Sequence, residues 1–399
     1  CYVLRAVAKH NALLATAVIQ TSALTDLVNC LEEFDPGVKE AAAWALGYIA
    51  KHNTELAYQV VKAKAIHSLI LCLQEPEKEL KRAAAMTLSF ICQHTKQLAQ
   101  QVAEIGLDQI SFFLPFNDII LKRNICLLLG NIVKHSVDLA DHVMDKLNPS
   151  KLLACLNETD PLIAKNAAFC LCEIARKSFE NSRKIVASDG GAIIVEFITN
   201  VKGDVRLYGI MTLGFIASYK ENLATEIIKA RAINQLKDAL QNESQQHIKA
   251  AACYALGQIG MHSNDHAREV SDANVLYLML FYYRAHESTE ELKSQSKVAL
   301  KNIIDKCSYL TALEPLIQKA PDDILKHILD QYIKHLKNST FEKKQFIQNE
   351  GLKKLQDIYN DLPSNLREKV NEINSYFPDT IVKYYSPEYT QMLKNQNNT

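Results

Sequence analysis

Residues 41–57 read AAAWALGYIAKHNTELA, and this phrase decides the fold because it returns along the chain. VLRAVAKHNALLA (3–15), LSFICQHTKQLA (88–99), LGNIVKHSVDLA (129–140) and ALGQIGMHSNDHA (255–267) superpose on it and bring His10, His52, His94, His135 and His262 into register. The first four histidines are spaced by 42, 42 and 41 residues, and the fifth follows after 127, three more periods. Two copies fill that gap with the histidine replaced, by Lys177 in CEIARKSFENS and by Tyr219 in GFIASYKENLA, and a looser copy is LKNIIDKCSYL (300–310). A second register agrees: Cys30, Cys72 and Cys155 stand in NCLEE, LCLQE and ACLNE, 42 and 83 residues apart. A period of this length marks a repeat array, in which each unit buries its apolar faces against its neighbours.

Within one period the pattern predicts three helices. Thr54 is placed to cap a short first helix over 55–62, with Thr95, Ser136 and Ser263 in the same role, because a hydroxyl satisfies free N–H groups at a helix start. A break at 63–65 precedes an apolar second helix over 66–74, and in the fifth copy the break is Gly190-Gly191. Asp35-Pro36, Glu75-Pro76 and Asp160-Pro161 then mark the entry to a long third helix, since proline suits the first helical position. Small residues in that helix, Ala41, Ala42, Ala45 and Gly47, allow close approach of the next one. No strand-like alternation interrupts the pattern. The expected fold is all-α, a right-handed superhelical solenoid.

Composition bounds the function. Lys plus Arg equals Asp plus Glu at 45 each, which leaves no long-range field to draw the chain to nucleic acid or to an anionic membrane. The ten cysteines form no C-x-x-C pair; Cys170 and Cys172 diverge on a helix, so the thiols read as reduced, buried apolar groups of a cytoplasmic protein. No apolar run is long enough to span a bilayer and none resembles a signal peptide. There is no G-x-S-x-G, H-E-x-x-H or Walker loop, so no enzyme, cofactor, metal site or small-molecule substrate is expected. The sequons at Asn157, Asn242 and Asn338 read as chance.

A short, a medium and a long helix in about 42 residues, with AAAWALGYIA in the long one, resembles the armadillo family from Cys1 to about Ile304. Phrases such as EEFDPGVKEAAAWALGYIAKHNTELA, KCSYLTALEPLIQKAPDDILKHI and the non-repeating INSYFPDTIVKYYSPEYTQML are similar to the armadillo proteins of the ciliary and flagellar central apparatus, essentially end to end. The resemblance implies a non-catalytic scaffold of the axonemal central pair, bound to tubulin and neighbouring central-apparatus proteins, self-associating, and supporting motility. It also implies further repeats ahead of residue 1. The rival expectation is a general cytoplasmic armadillo adaptor that binds an extended peptide of a signalling or transport partner.

The resemblance places the partner groove on the third helices. Import adaptors of the family hold basic peptides there with paired Trp and Asn. Here the Trp register holds Trp44, Met86, Leu127, Phe169, Met211, Tyr254 and Val298, and the Asn register Tyr48, Phe90, Asn131, Glu173, Phe215, Gln258 and Asn302. No Trp–Asn pair forms, which disfavours import-signal binding. Trp44, Tyr48, Phe90, Asn131, Phe215, Gln258 and Asn302 are the candidate groove residues; their aromatics either grip a partner helix or pack the array. The in-register histidines, one per repeat, lie too far apart to share a metal ion, and cap helix-end carbonyls instead. Lysines at 293–306, Lys343-Lys344 and Lys353-Lys354 are either a tubulin contact or solvated faces. The expected organisation is an array over 1–310, a degenerate helical cap over 311–375, and a tail over 376–399. In the tail Tyr376, Phe377, Tyr384, Tyr385 and Tyr389 fold back or dock on a neighbour.

Overall fold

The structure is a computed structural model and describes residues 1–386 and 389; the rest of the expected tail, 387–388 and 390–399, lies outside the described residues. The protein is an all-α repeat solenoid, with helix over 80% of the chain and no strand among the described residues. It divides into two compact units, Cys1–Val201 and Lys202–Thr399.

In the first unit the third helices Tyr2–His10, Pro36–His52, Lys78–Cys92, Ile119–Val133 and Pro161–Lys177 each pack on the next. In the second, Asp204–Tyr219, Gln246–Gly260, Glu290–Ile304, Asp322–Leu336 and Ser364–Asn374 follow one another in the same way. Gly257 shows how tight the packing is: a Cβ there would lie 2.8 Å from the Ala299 Cα. Asp35 and Asp160 cap their helices as expected, each accepting from two backbone N–H groups with proline at the first position. Glu75-Pro76 does not mark an entry. That helix starts at Lys78, and Glu77 at its cap makes no side-chain bond.

The cap of the first helix is one residue earlier than the sequence suggested. Asn53 Oδ1, not Thr54, accepts from the Leu56 N–H at 2.9 Å. Thr95, Ser136 and Ser178 do the same in their repeats. Ser263 makes no cap bond, because its hydroxyl pairs with His266 Nδ1 at 2.7 Å.

The turn from first to second helix uses a left-handed residue: Ser22, Lys64 and Asp189 in one unit, Arg231, Asn274 and Glu350 in the other, with φ between 57° and 67°. The fourth repeat turns through Leu147 and Asn148 with negative φ, and the third lacks the turn altogether. One helix, Lys96–Phe112, replaces two, and Gly106 in the register of Lys64 stays helical because it lies under Ile70, where a Cβ would come within 2.1 Å of Cδ1.

The histidine register has a partner that the sequence did not reveal. Nε2 of His52, His94 and His135 donates to the carbonyls of Ala8, Ala50 and Cys92 at 2.6–2.7 Å, and Lys177 Nζ donates to the Lys134 carbonyl at 2.6 Å. His262 repeats this in the second unit with the Ala217 carbonyl at 2.6 Å. Each acceptor sits at the end of the preceding repeat's third helix, where carbonyls have no intrahelical donor. The histidines therefore cap the neighbour's helix and not their own.

Beyond Ile304 the period changes. Where a first and second helix are due, the chain makes two short 3₁₀ turns, Leu310–Ala312 and Glu314–Leu316, before Asp322–Leu336. A complete helical triplet follows, Thr340–Gln348, Gly351–Ile358 and Ser364–Asn374.

Candidate protein-binding face

On the third helices, residues four apart share a face. In the first unit this face presents half-buried Trp44 and Tyr48, Met86 and Phe90, Leu127, Phe169 and Glu173. Trp44 and Tyr48 stack with centroids 5.6 Å apart. Asn131 departs from its expected role: it is 7% exposed, its amide donates to Ser89 Oγ at 3.0 Å, and its carbonyl oxygen accepts from Lys134 Nζ at 3.0 Å. It is committed to the repeat junction.

Cations stand over the aromatics, each supplied by the preceding repeat. Arg5 lies 5.4 Å from the Trp44 ring, Lys9 lies 5.8 Å from Tyr48, and Lys51 lies 5.4 Å from Phe90. Lys9 and Lys51 directly precede the in-register histidine, a signal in the sequence that went unused. In a later repeat Lys134 holds the same register, with burial lowering its pKa. The face is thus an apolar stripe bordered by positive charge, suited to an apolar or acidic chain segment.

In the second unit Phe215 meets Tyr254 edge-on at 5.6 Å. Gln258 and Asn302 are half-buried on the same helix faces. The expected lysine clusters are largely spent within the fold: Lys297 pairs with Asp323 at 2.5 Å, Lys293 with Glu290 at 3.0 Å and Lys353 with Glu350 at 3.4 Å. Lys343 lies over the Tyr376 ring.

The tail aromatics divide. Phe377 is 6% exposed and stacks on Phe346 at 6.1 Å, and the Tyr376 hydroxyl donates to Glu372. Tyr384 sits in a cluster with Tyr385 and Tyr389 and is 56% exposed.

A further apolar patch was missed. Phe112, Phe113 and Phe116 line a 510 Å³ hollow together with Lys81 and Asp108, and Phe112 is 60% exposed. Its signal was the run ISFFLPF at 110–116, where the merged helix ends.

Among the described residues no three His, Cys, Asp or Glu side chains converge as a metal site. The cysteines are free thiols, and burial pushes Cys72 up to about 11 and Cys253 up to about 12, which keeps these two protonated. No single helix among the described residues is long and apolar enough to cross a membrane.

Comparison with known proteins agrees with this geometry. Residues 14–51 match the armadillo/β-catenin-like repeat family. Over 159 residues the chain is 47% identical to human sperm-associated antigen 6, and the mouse protein matches equally; the match covers 40% of this chain and 31% of each relative. The chain thus covers less than a third of those relatives, and the matched part is shorter than the end-to-end likeness the phrases suggested. Among solved structures, an engineered protein superposes with a TM-score of 0.76 at 20% identity, covering 94% of this chain and 93% of that one. A designed armadillo repeat protein superposes at 0.57 with 19% identity, over 59% of this chain and 99% of its own. Identities this low speak for the fold alone.

Proposed function

We propose that this chain is a non-catalytic scaffold of the axonemal central apparatus, whose third-helix faces hold other proteins of that assembly, with microtubules and further copies of the chain among its partners. The observation that carries the reading is the 47% identity over 159 residues to sperm-associated antigen 6.

The chemistry of the face narrows the partner. A designed armadillo protein has been solved in complex with the peptide (KR)4. Here Lys9 and Lys51 lie over the rings of Tyr48 and Phe90 and would repel so basic a ligand from this face, so the partner segment is apolar or acidic. Electrostatic association with an acidic microtubule surface would weaken as salt rises.

The test is localisation. A tagged chain expressed in ciliated cells should lie along the central pair. A chain confined to the cytosol and absent from the axoneme would overturn the reading and favour the cytoplasmic adaptor. Replacing Tyr48 and Phe90 with Ala in a folded protein should weaken partner capture at least tenfold; unchanged capture would remove the face from the account.

A further inference from the structure

Where the chain drops a helix pair after Ile304, it encloses a cavity of 390 Å³ in the second unit. Two carboxyl groups and three rings line it: Glu314 and Glu342 with Tyr309, Phe341 and Phe346, while Arg268 stands at the wall. Glu314 is only 4% exposed, and its one hydrogen bond is a long one, 3.4 Å from the Asn349 amide. Glu342 Oε2 is buried with no hydrogen-bond partner among the described residues. Neither carboxyl is ion-paired among the described residues.

Neither nearby cation forms an ion pair with these carboxyls among the described residues. Arg268 lies over the Tyr309 ring at 5.5 Å with its Nε 3.7 Å from Asp272, and Lys354 Nζ donates to the Asn349 carbonyl. Tyr332, whose hydroxyl donates to the Leu310 carbonyl, is fully buried and has its pKa raised by that burial and then by Glu314 and Cys307. Burial raises Glu314 to about 7, with Lys354 opposing, and raises Glu342 as well. A buried and a half-buried carboxyl, neither of them ion-paired among the described residues and both walled by aromatic faces, form a receptor for positive charge: the carboxylates supply ion pairs and the rings supply cation–π contact.

We propose that this cavity binds a cationic head group, a guanidinium or primary ammonium, between Glu314 and Glu342. The group belongs either to a small free amine or to a Lys or Arg side chain of a partner. The inference does not depend on where in the cell the chain resides.

Titrating the full chain, 13Cδ-labelled at Glu, with n-butylguanidinium and n-butylammonium chloride should give saturable shifts. A peptide bearing one central arginine forms the second arm. Affinity should rise about tenfold per pH unit up to the Glu314 transition near 7 and then level off, because the carboxylate must be ionised. Glu314→Gln should weaken binding at least tenfold; if that variant fails to fold, Glu342→Gln carries the same expectation. Binding of the free probe alone identifies a small amine, and binding of the peptide alone identifies a partner side chain. Shifts that do not saturate, that ignore pH, or that persist in the folded variants would overturn the proposal.

Discussion

Residues 36–177 and residues 305–346 are built from the same kinds of helix, yet their buried polar groups fare differently. In the first stretch, rungs join each repeat to the next: His to carbonyl, Lys39 to Glu75, Arg82 to Asp118, Lys122 to Glu158. Only Ser111 Oγ, inside the merged helix, is buried without a partner there. In the second stretch Gln331 Oε1, His335 Nε2 and Glu342 Oε2 are all buried and unpartnered. The difference follows from the period. A repeat that keeps its spacing meets a neighbour whose orphan groups stand at matching positions, whereas a repeat that loses two helices leaves buried donors and acceptors without partners.

The largest expected effect comes from breaking a buried rung. Arg206 occupies the same ladder in the second unit, but its side chain is 2% exposed and its partner Glu243 only 6%. Arg206→Ala strands a buried carboxylate and should cost about 3–5 kcal/mol in denaturant unfolding. Arg82→Ala, at a more exposed rung with 24% of the side chain accessible, should cost at most about 1 kcal/mol. Equal costs would contradict the comparison.

Glu314→Gln should act in the opposite sense. Its folded pKa of about 7 lies above the usual carboxylate value, so the folded state binds the proton more tightly and the side chain weakens the fold progressively as pH rises from about 4.5 through 7. The amide should therefore stabilise the protein above pH 7, by roughly 1–3 kcal/mol, and lose that gain below about pH 4.5. Thermal unfolding at the two pH values checks this.

His94→Ala removes one carbonyl cap and should cost about 1 kcal/mol. For His135 burial lowers the pKa, so its contribution is present above the ordinary imidazole value and is lost as pH falls through the lower folded one. The smallest effect is Lys64→Gly, which relieves a left-handed backbone at φ 67° and should stabilise by at most about 1 kcal/mol. Loss of stability there would show that the lysine side chain contributes contacts of its own.

Much of the fold was legible because a repeat period is a one-dimensional signal. The three helices, the alanine and glycine positions of close packing, and the Asp-Pro entries at 35–36 and 160–161 all follow from local pattern. What failed was pairing across repeats. The histidines were visible as a register, but their acceptors lie 43 to 45 residues back in a backbone that carries no residue signature. Gly106 sits where other repeats turn, yet it stays inside one helix and packs under Ile70, a contact made a repeat away. Asn131 looked available for a ligand because its burial depends on Ser89, a repeat away. The binding face was half legible: its aromatic register could be read, but the lysines above it belong to the preceding repeat.

The central claim is that histidines at the ends of third helices bind each repeat to the one before. Nitrogen-15 NMR of the imidazole side chains tests it most directly. His52, His94, His135 and His262 should appear as the Nε2–H tautomer with slowly exchanging protons, unlike exposed His10. The Nδ1–H tautomer, or exchange as fast as that of His10, at these positions would contradict the account.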